Sequence, residues 1–257
     1  DQRLSRGLGD VYKRQKLSIG RGLKKSLIQL SWEAACRVKN VEHIVVATDD
    51  ERIRTEAESF GAKVVMTPKT CRNGTERCAD ALKNINFNGD LIVNLQGDAP
   101  LTPEWFVEDL IEAFKKNPDT QMATPVLRLD KDSLNSFRLD RKSGRVGGTT
   151  VVFDSDNNAL YFSKEIIPFF DEKRLMQTEA CPVFHHVGVY AYRPEILSKY
   201  HTWKESDLEA LEGLEQLRFL ENKCSIKCVL VDSKGRTFWE LNNPEDVIKI
   251  EKAIHKI

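Results

Sequence analysis

No apolar run in this sequence approaches the roughly 20 residues that cross a bilayer. The opening stretch DQRLSRGLGD lacks the apolar core of a secretory signal. The chain therefore reads as a cytoplasmic protein with no membrane partner. Net charge is missing too: 39 Lys and Arg balance 39 Asp and Glu. A general nucleic-acid binder tracks phosphates with a basic surface, so that class is disfavoured. A single bound nucleotide, which needs only a local site, is not excluded. No C-x-x-C pair occurs. Cys36, Cys71, Cys78, Cys181, Cys224 and Cys228 are irregularly spaced and lack partners at zinc spacing, so free thiols are expected. Internal repeats and low-complexity linkers are also absent. What remains is a 257-residue chain of 40% apolar content, suited to one large α/β domain or two small ones.

From Ser26 the pattern alternates. SLIQLSWEAACRVKN reads as an amphipathic helix, and VEHIVVATDD as a buried strand running into two carboxylates. ERIRTEAESFG is a helix ended by Gly61, the residue that most easily takes a left-handed cap. AKVVMT is a strand, TERCADALKNI a helix, and DLIVNLQ a strand that stops at Gly97 and Asp98. Thr102, Pro103 and Glu104 open the next helix as cap, first residue and dipole partner. QMATPVLRL is another strand. Such alternation predicts βαβ units and an α/β fold with a mainly parallel, Rossmann-like sheet. Ligands bind beyond the carboxyl ends of such strands, where ATDD and QGDAP fall.

The stretch 144–200 differs. GTTVVFDSDNNALYF carries two β-rich runs around Asp156, Asn157 and Asn158, a hairpin signal. HHVGVYAYR reads as one further strand, and together they predict an antiparallel excursion. Ser206 and Glu209 have capping-box spacing before LEALEGLEQLRFLEN, expected to be one helix. Strand SIKCVLV and helix PEDVIKIEKAIHKI follow. Residues 1–15 show neither strand pattern nor capping logic, and GDVYKRQ resembles an adapter-derived sequence. This segment is expected to be foreign, with genuine residues belonging in front of about Lys16.

Several positions can carry chemistry. Asp98 ends a buried strand, where a carboxylate can hold magnesium together with phosphate oxygens; by spacing alone, a polar turn with Asp98 capping a neighbouring amide is the simpler explanation. Gly97 allows a tight turn or a close ligand. In CRNGTERCADAL, Asn73 and Gly74 make a turn, Thr75 can cap the helix and Arg77 lies on its first turn. Helix starts favour anions, yet an ordinary capped helix suffices. In ELNNPEDV, Asn243 and Pro244 start a helix, leaving Glu240 and Asn242 free to face a site. His185 and His186 should point to opposite sheet faces, one buried or turned to a cleft and the other exposed. Leu208, Leu211, Leu214 and Leu217 form a helical stripe, with Glu215 and Gln216 beside it as solvated residues.

Eight blocks, VVATDDERI, FGAKVVMT, NGTERCADAL, VNLQGDAPL, NALYFSK, HHVGVYAYR, LEGLEQLRFLE and NNPEDV, occur in an order that resembles the CMP-Kdo synthetases, the 3-deoxy-manno-octulosonate cytidylyltransferases. The likeness covers roughly residues 26–257. It implies the nucleotide-diphospho-sugar transferase type of fold, one α/β domain over residues 16–257, with 144–200 as a β-rich dimerisation arm of a homodimer. It implies CTP and an acidic 2-keto-3-deoxy sugar as substrates, magnesium as cofactor, and a product destined for lipopolysaccharide. Asp98 then matches the metal-binding aspartate. Asn73, Gly74, Thr75, Arg77 and Gln96 match positions around cytosine and ribose, and His186, Glu215 and Gln216 match positions that hold the sugar acid.

Three departures qualify the match. Ala99 stands where QGDEP has an acid. Asn242 stands where VDTPED has a second metal-binding aspartate, and Glu240 is a substitute for it. Lys164 stands where YFSR has an arginine, keeping the charge but losing the bidentate fork. These changes point to a subfamily or to an amino analogue of the sugar. The family's basic triphosphate loop, resembling IPAR-x-x-S-x-R-x-P-G-K, has no match; Arg21, Lys24 and Lys25 supply charge without the motif. Two alternatives stand beside the transferase: a nucleotidyl- or glycosyltransferase of the same fold for another nucleotide, and an inactive binding homologue.

Overall fold

In chain order, the first elements are β1 (Lys16–Gly20), β2 (Leu23–Ser26), α1 (Leu27–Arg37), β3 (Val45–Thr48), α2 (Glu51–Ser59), β4 (Lys63–Met66) and α3 (Gly74–Lys83). Next come β5 (Ile92–Leu95), α4 (Glu104–Lys116), β6 (Met122–Arg128), α5 (Lys131–Lys142), β7 (Thr149–Phe153) and β8 (Ala159–Ser163). The last are β9 (Phe184–His186), β10 (Val189–Tyr192), α6 (Pro194–Tyr200), α7 (Asp207–Glu212), α8 (Leu217–Glu221), β11 (Ile226–Val231) and α9 (Asp246–Ile254). This computed structural model describes residues 16–20, 23–146, 148–171, 180–236 and 246–254. The segment 1–15, Arg21, Glu240, Asn242 and Asn243 lie outside the described residues. No helix of the described residues is long and apolar enough to cross a membrane.

The chain divides into two compact units. The first takes residues up to Phe87, Leu95–Glu108 and those from Ser233 onward; the second takes Asn88–Asn94 and Asp109–Asp232.

In the first unit, β1 and β2 form an antiparallel hairpin with Leu17 opposite Lys25. The sequence pattern did not announce it, because its lysines hide the one side chain that matters. Leu17 is fully buried against Leu27, Leu101, Ile250 and Ala253. The Ser26 hydroxyl accepts from the Gln29 amide and caps α1. β3 and β4 pair in parallel from Val45–Lys63 to Thr48–Met66, joined by α2. Asp50 caps α2 at its start, and Gly61 ends it at φ +87° as expected. The apolar face of α2 packs Ala57 with Val46 and Ala62, bordered by Trp32, Ile53 and Phe60.

The second unit is built on a seven-stranded sheet in the order β5-β10-β6-β9-β7-β8, with β11 also paired to β6. The α/β class is as expected, but the described ladders are mixed rather than mainly parallel. β3–β4 and β6–β11 are parallel, whereas β1–β2, β6–β9, β6–β10, β7–β8 and β7–β9 are antiparallel. The expected excursion does not leave the sheet. It returns along β6, with Val126 opposite His186 and Thr149 opposite His186 on the other side.

HHVGVYAYR is two strands, not one. Pro125, in the middle of β6, has no N–H to give the ladder. The facing chain breaks there, at Val187 and Gly188: the Val187 amide donates to the Pro125 carbonyl at 3.1 Å. The Thr124 hydroxyl lies 3.1 Å from the Val187 carbonyl and 2.8 Å from that of Val189, serving the freed acceptors. The expected helix over LEALEGLEQLRFLEN is also two. Gly213 takes left-handed backbone at φ +63° and ends α7, so the leucine stripe is cut: Leu217 is buried while Leu211 is exposed.

Candidate functional site

The expected nucleotide and metal residues fall in the first unit. Asn73, not Thr75, caps α3: its side-chain oxygen accepts from the Glu76 amide at 2.8 Å, and its carbonyl accepts the Arg77 amide at 3.2 Å. Thr75 lies inside the first turn and is buried. The Glu76 carboxylate folds back onto the Arg72 amide at 2.8 Å and its guanidinium at 2.7 Å. Arg77 is held from two sides, by Asp49 at 3.0 Å and the Thr67 hydroxyl at 2.5 Å. Asp49 follows β3 and Thr67 follows β4. The ends of two parallel strands thus aim one guanidinium, a role the sequence hid because ATDD reads as two generic carboxylates.

Gln96, Gly97 and Asp98 follow β5. The Gln96 carbonyl accepts from the Ala99 amide at 3.2 Å, and Thr102 donates its hydroxyl to the Ala99 carbonyl at 2.9 Å. Ser31 of α1 donates to the Gly97 carbonyl at 3.2 Å. Gly97 does not take left-handed backbone, and a Cβ there would meet only Ile28 Cδ1, at 3.5 Å. Gly97 lies in the turn closed by the Gln96–Ala99 bond, but that turn does not need left-handed backbone. Asp98 is half-buried at the turn. No group of three or more His, Cys, Asp or Glu among the described residues could cage a metal. One part-exposed carboxylate suits magnesium, which keeps waters and borrows oxygens from a substrate's phosphates.

The expected sugar residues fall in the second unit. Both histidines are buried, which corrects the expectation of one exposed ring. Both rings of β9 are covered, each by aromatic neighbours. His185 packs edge-on against Phe137, and His186 against Phe162 and Tyr190. Burial, reinforced by the Arg141 charge, lowers His185 to about 4. Burial and its neighbour His185 lower His186 to about 3. Both imidazoles are neutral at pH 7.

Gln216 is also buried, at 1% exposure, rather than solvated. Its side-chain oxygen accepts from the Tyr190 hydroxyl at 3.1 Å. Its amide nitrogen and His186 Nε2 find no hydrogen-bond partner among the described residues. A buried polar group left unmade costs about 1–3 kcal/mol. Two such groups, linked through Tyr190, mark a place for polar ligand atoms. Glu215 is half-buried, and its carbonyl lies 3.3 Å from the Tyr200 hydroxyl.

Lys164 is half-buried just after β8. Phe162, two residues before it, touches His186. Burial lowers the Lys164 ammonium, Glu212 raises it, and Arg141 lowers it further. Glu212 gathers the end of β8, accepting from the Ser163 hydroxyl at 2.7 Å and the Lys164 amide at 2.9 Å. Arg141 donates to the Gly148 carbonyl at 2.6 Å, while its Nε has no partner among the described residues. Glu212 and Arg141 were not singled out in the sequence. Glu212 lies within a recognisable block; Arg141 carries no local signal, since only the fold brings the end of α5 near β8.

The six thiols are free. Burial pushes Cys224 up to about 11 and Cys228 to about 12, so neither is a nucleophile at neutral pH.

Comparison with known proteins adds four likenesses. The cytidylyltransferase family profile matches residues 23–226. A 3-deoxy-manno-octulosonate cytidylyltransferase of Maricaulis maris is 41% identical over 228 residues, 89% of this chain and 86% of that protein. An 8-amino-3,8-dideoxy-manno-octulosonate cytidylyltransferase of Shewanella frigidimarina is 39% identical over 231 residues, 88% of this chain and 87% of that one. A solved CMP:2-keto-3-deoxy-manno-octonic acid synthetase complexed with CTP has a TM-score of 0.75 at 28% identity, covering 90% of this chain and 88% of that chain.

Proposed function

The chain belongs to the cytidylyltransferase family, and on that premise we propose that it joins CTP to 3-deoxy-manno-octulosonate, giving the CMP-sugar and pyrophosphate. The observation that carries the sugar side is the pair of buried, unpartnered groups on His186 and Gln216, with the half-buried ammonium of Lys164 in the same unit. A hydroxyl-rich anion satisfies all three. Its carboxylate suits Lys164, and its hydroxyls suit the imidazole and the amide.

The anomeric hydroxyl of the sugar attacks the α-phosphorus of CTP. The new P–O bond replaces the bond to pyrophosphate, which leaves, and the hydroxyl proton passes to solvent. Arg77, held by Asp49 and Thr67, together with Asn73, Gly74, Thr75 and Gln96, contacts the nucleoside. Gly97, which the backbone does not require, leaves room for it. Asp98 would hold magnesium together with substrate phosphates, and Asn242 or Glu240 would be the second protein ligand. When bound, the ion neutralises the triphosphate and the charge that develops on it. The protein's own part is positioning and electrostatics. We place the enzyme in the cytoplasm, as a homodimer, supplying lipopolysaccharide synthesis.

A second reading follows from the Shewanella relative, which is almost as similar as the Maricaulis one: the 8-amino analogue is the substrate. Pyrophosphate release decides. With CTP and magnesium, 3-deoxy-manno-octulosonate is expected to support turnover, and UTP in place of CTP is not. Faster turnover of the 8-amino sugar selects the second reading. Asp98→Ala is expected to reduce release at least about 100-fold; unchanged turnover removes Asp98 from the chemistry.

A further inference from the structure

Arg218, in α8, is 1% exposed, and it donates Nε and Nη2 to the two carboxylate oxygens of Glu209, in α7, at 2.5 Å each. Its guanidinium lies 4.2 Å from the centroid of the Tyr200 ring. The Tyr200 hydroxyl stands 3.4 Å from Glu209 Oε1 and 3.3 Å from the Glu215 carbonyl. Glu209 Oε2 also accepts the Ser206 amide at 3.3 Å. Every hydrogen-bonding face of this carboxylate is used.

Stability alone does not account for such a pair. Taking two charges out of water is costly, and well-packed apolar residues of similar volume often serve as well or better. Geometry does account for it. The pair spans the bend at Gly213 that separates α7 from α8, and the Glu209 carbonyl accepts the Gly213 amide at 2.7 Å inside the same bend. Two residues before Arg218 stands Gln216, the N-cap of α8, whose side chain meets Tyr190 on one side and has an unpartnered amide nitrogen on the other. Between the two members of the pair lie both Glu215 and Gln216.

We propose that the buried Glu209–Arg218 pair is a positioning device for the acidic sugar: it locks the Gly213 bend so that Gln216 presents its amide beside Tyr190 and His186. This rests on the reading of Gln216 as a sugar contact. The bidentate fork matters because two parallel hydrogen bonds fix direction as well as distance. A bend held by apolar packing alone stays folded, but lets the amide swing.

The test uses the full chain and measures separate KM values for CTP and for 3-deoxy-manno-octulosonate, with Tm alongside. The paired change Glu209→Leu with Arg218→Met is expected to hold Tm within a few degrees and leave the CTP KM unchanged. It raises the sugar KM about 10-fold or more. Arg218→Lys keeps the charge without the fork and is expected to show the same split, so a failure of the paired variant to fold does not end the test. A sugar KM within twofold of the parent in whichever variant folds overturns the proposal, as does an equal rise in both KM values. Gln216→Leu separates the two levels. If it raises the sugar KM while the clamp variants do not, only the clamp falls; if it too changes nothing, the reading of Gln216 falls and takes the clamp with it.

Discussion

The two histidines of β9 show how burial sets chemistry at a single residue. Their pKa values, about 4 and about 3, lie below the ordinary 6.5. Above pH 6.5 both folded and unfolded chains hold them neutral, and they give no pH dependence. Below it the unfolded chain takes up protons that the folded chain refuses. Stability is therefore present at neutral pH and lost as pH falls from 6.5 towards 4, at about 1.4 kcal/mol per pH unit for each histidine. Urea midpoints measured at pH 7, 6 and 5 should fall progressively, and His186→Gln should flatten the fall. A flat profile in the parent would mean the rings are reached by water. Lys164 gives a second residue-scale expectation. Its amide, not its ammonium, binds Glu212, so Lys164→Ala leaves the end of β8 tied. The sugar KM is expected to rise about 10-fold while the CTP KM stays put, read by initial rates at varied sugar.

At the scale of elements, neighbours decided what local pattern left open. The sequence pattern offers Thr75 as the cap and Asn73 as a turn residue; the chain instead enters α3 with Asn73 extended and capping, and Thr75 already helical and buried. Removing that cap, Asn73→Ala, should cost about 1 kcal/mol in chemical denaturation. Gly148, before β7, is a stricter case. A Cβ there would stand 2.4 Å from Phe137 Cζ and 3.0 Å from His185 Nε2. Phe137 is packed with Leu134 and Val183 and has nowhere to move, so Gly148→Ala should destabilise by about 1–3 kcal/mol. An unchanged denaturation midpoint would show that the α5–β7 contact is loose. The strand breaks at Val187 and Gly188 belong to the same class. Pro125 is visible in the sequence, but its partner strand is 60 residues away, and only pairing reveals which amide loses its place.

For the whole molecule, the second unit leaves apolar surface in water. Phe169 is 95% exposed and Leu211 81% exposed, and Leu160 lies outward on β8, the terminal strand of the sheet. An apolar strand edge is a template for another chain. With no net charge to keep copies apart, the proposed homodimer should appear by light scattering as twice the chain mass. Leu160→Asp should shift it towards monomer. A monomer at micromolar concentration in the parent would discard the arm's assigned role.

Much of this protein was settled by the one-dimensional order of its residues. Alternating apolar runs fix where helices and strands form, because a side chain's period is a local property. Gly61 and the Asp156–Asn158 turn act within a few residues of themselves and were legible for that reason. So was the family, since eight short blocks in order need no coordinates. The sheet's mixed direction, the burial of both histidines and of Gln216, the grip of Asp49 and Thr67 on Arg77, and the closeness of Arg141 to Lys164 were settled by folding alone. Each joins residues far apart in the chain, and a contact of that kind depends on which strands pair, a choice made by the packing of the whole core rather than by any one segment.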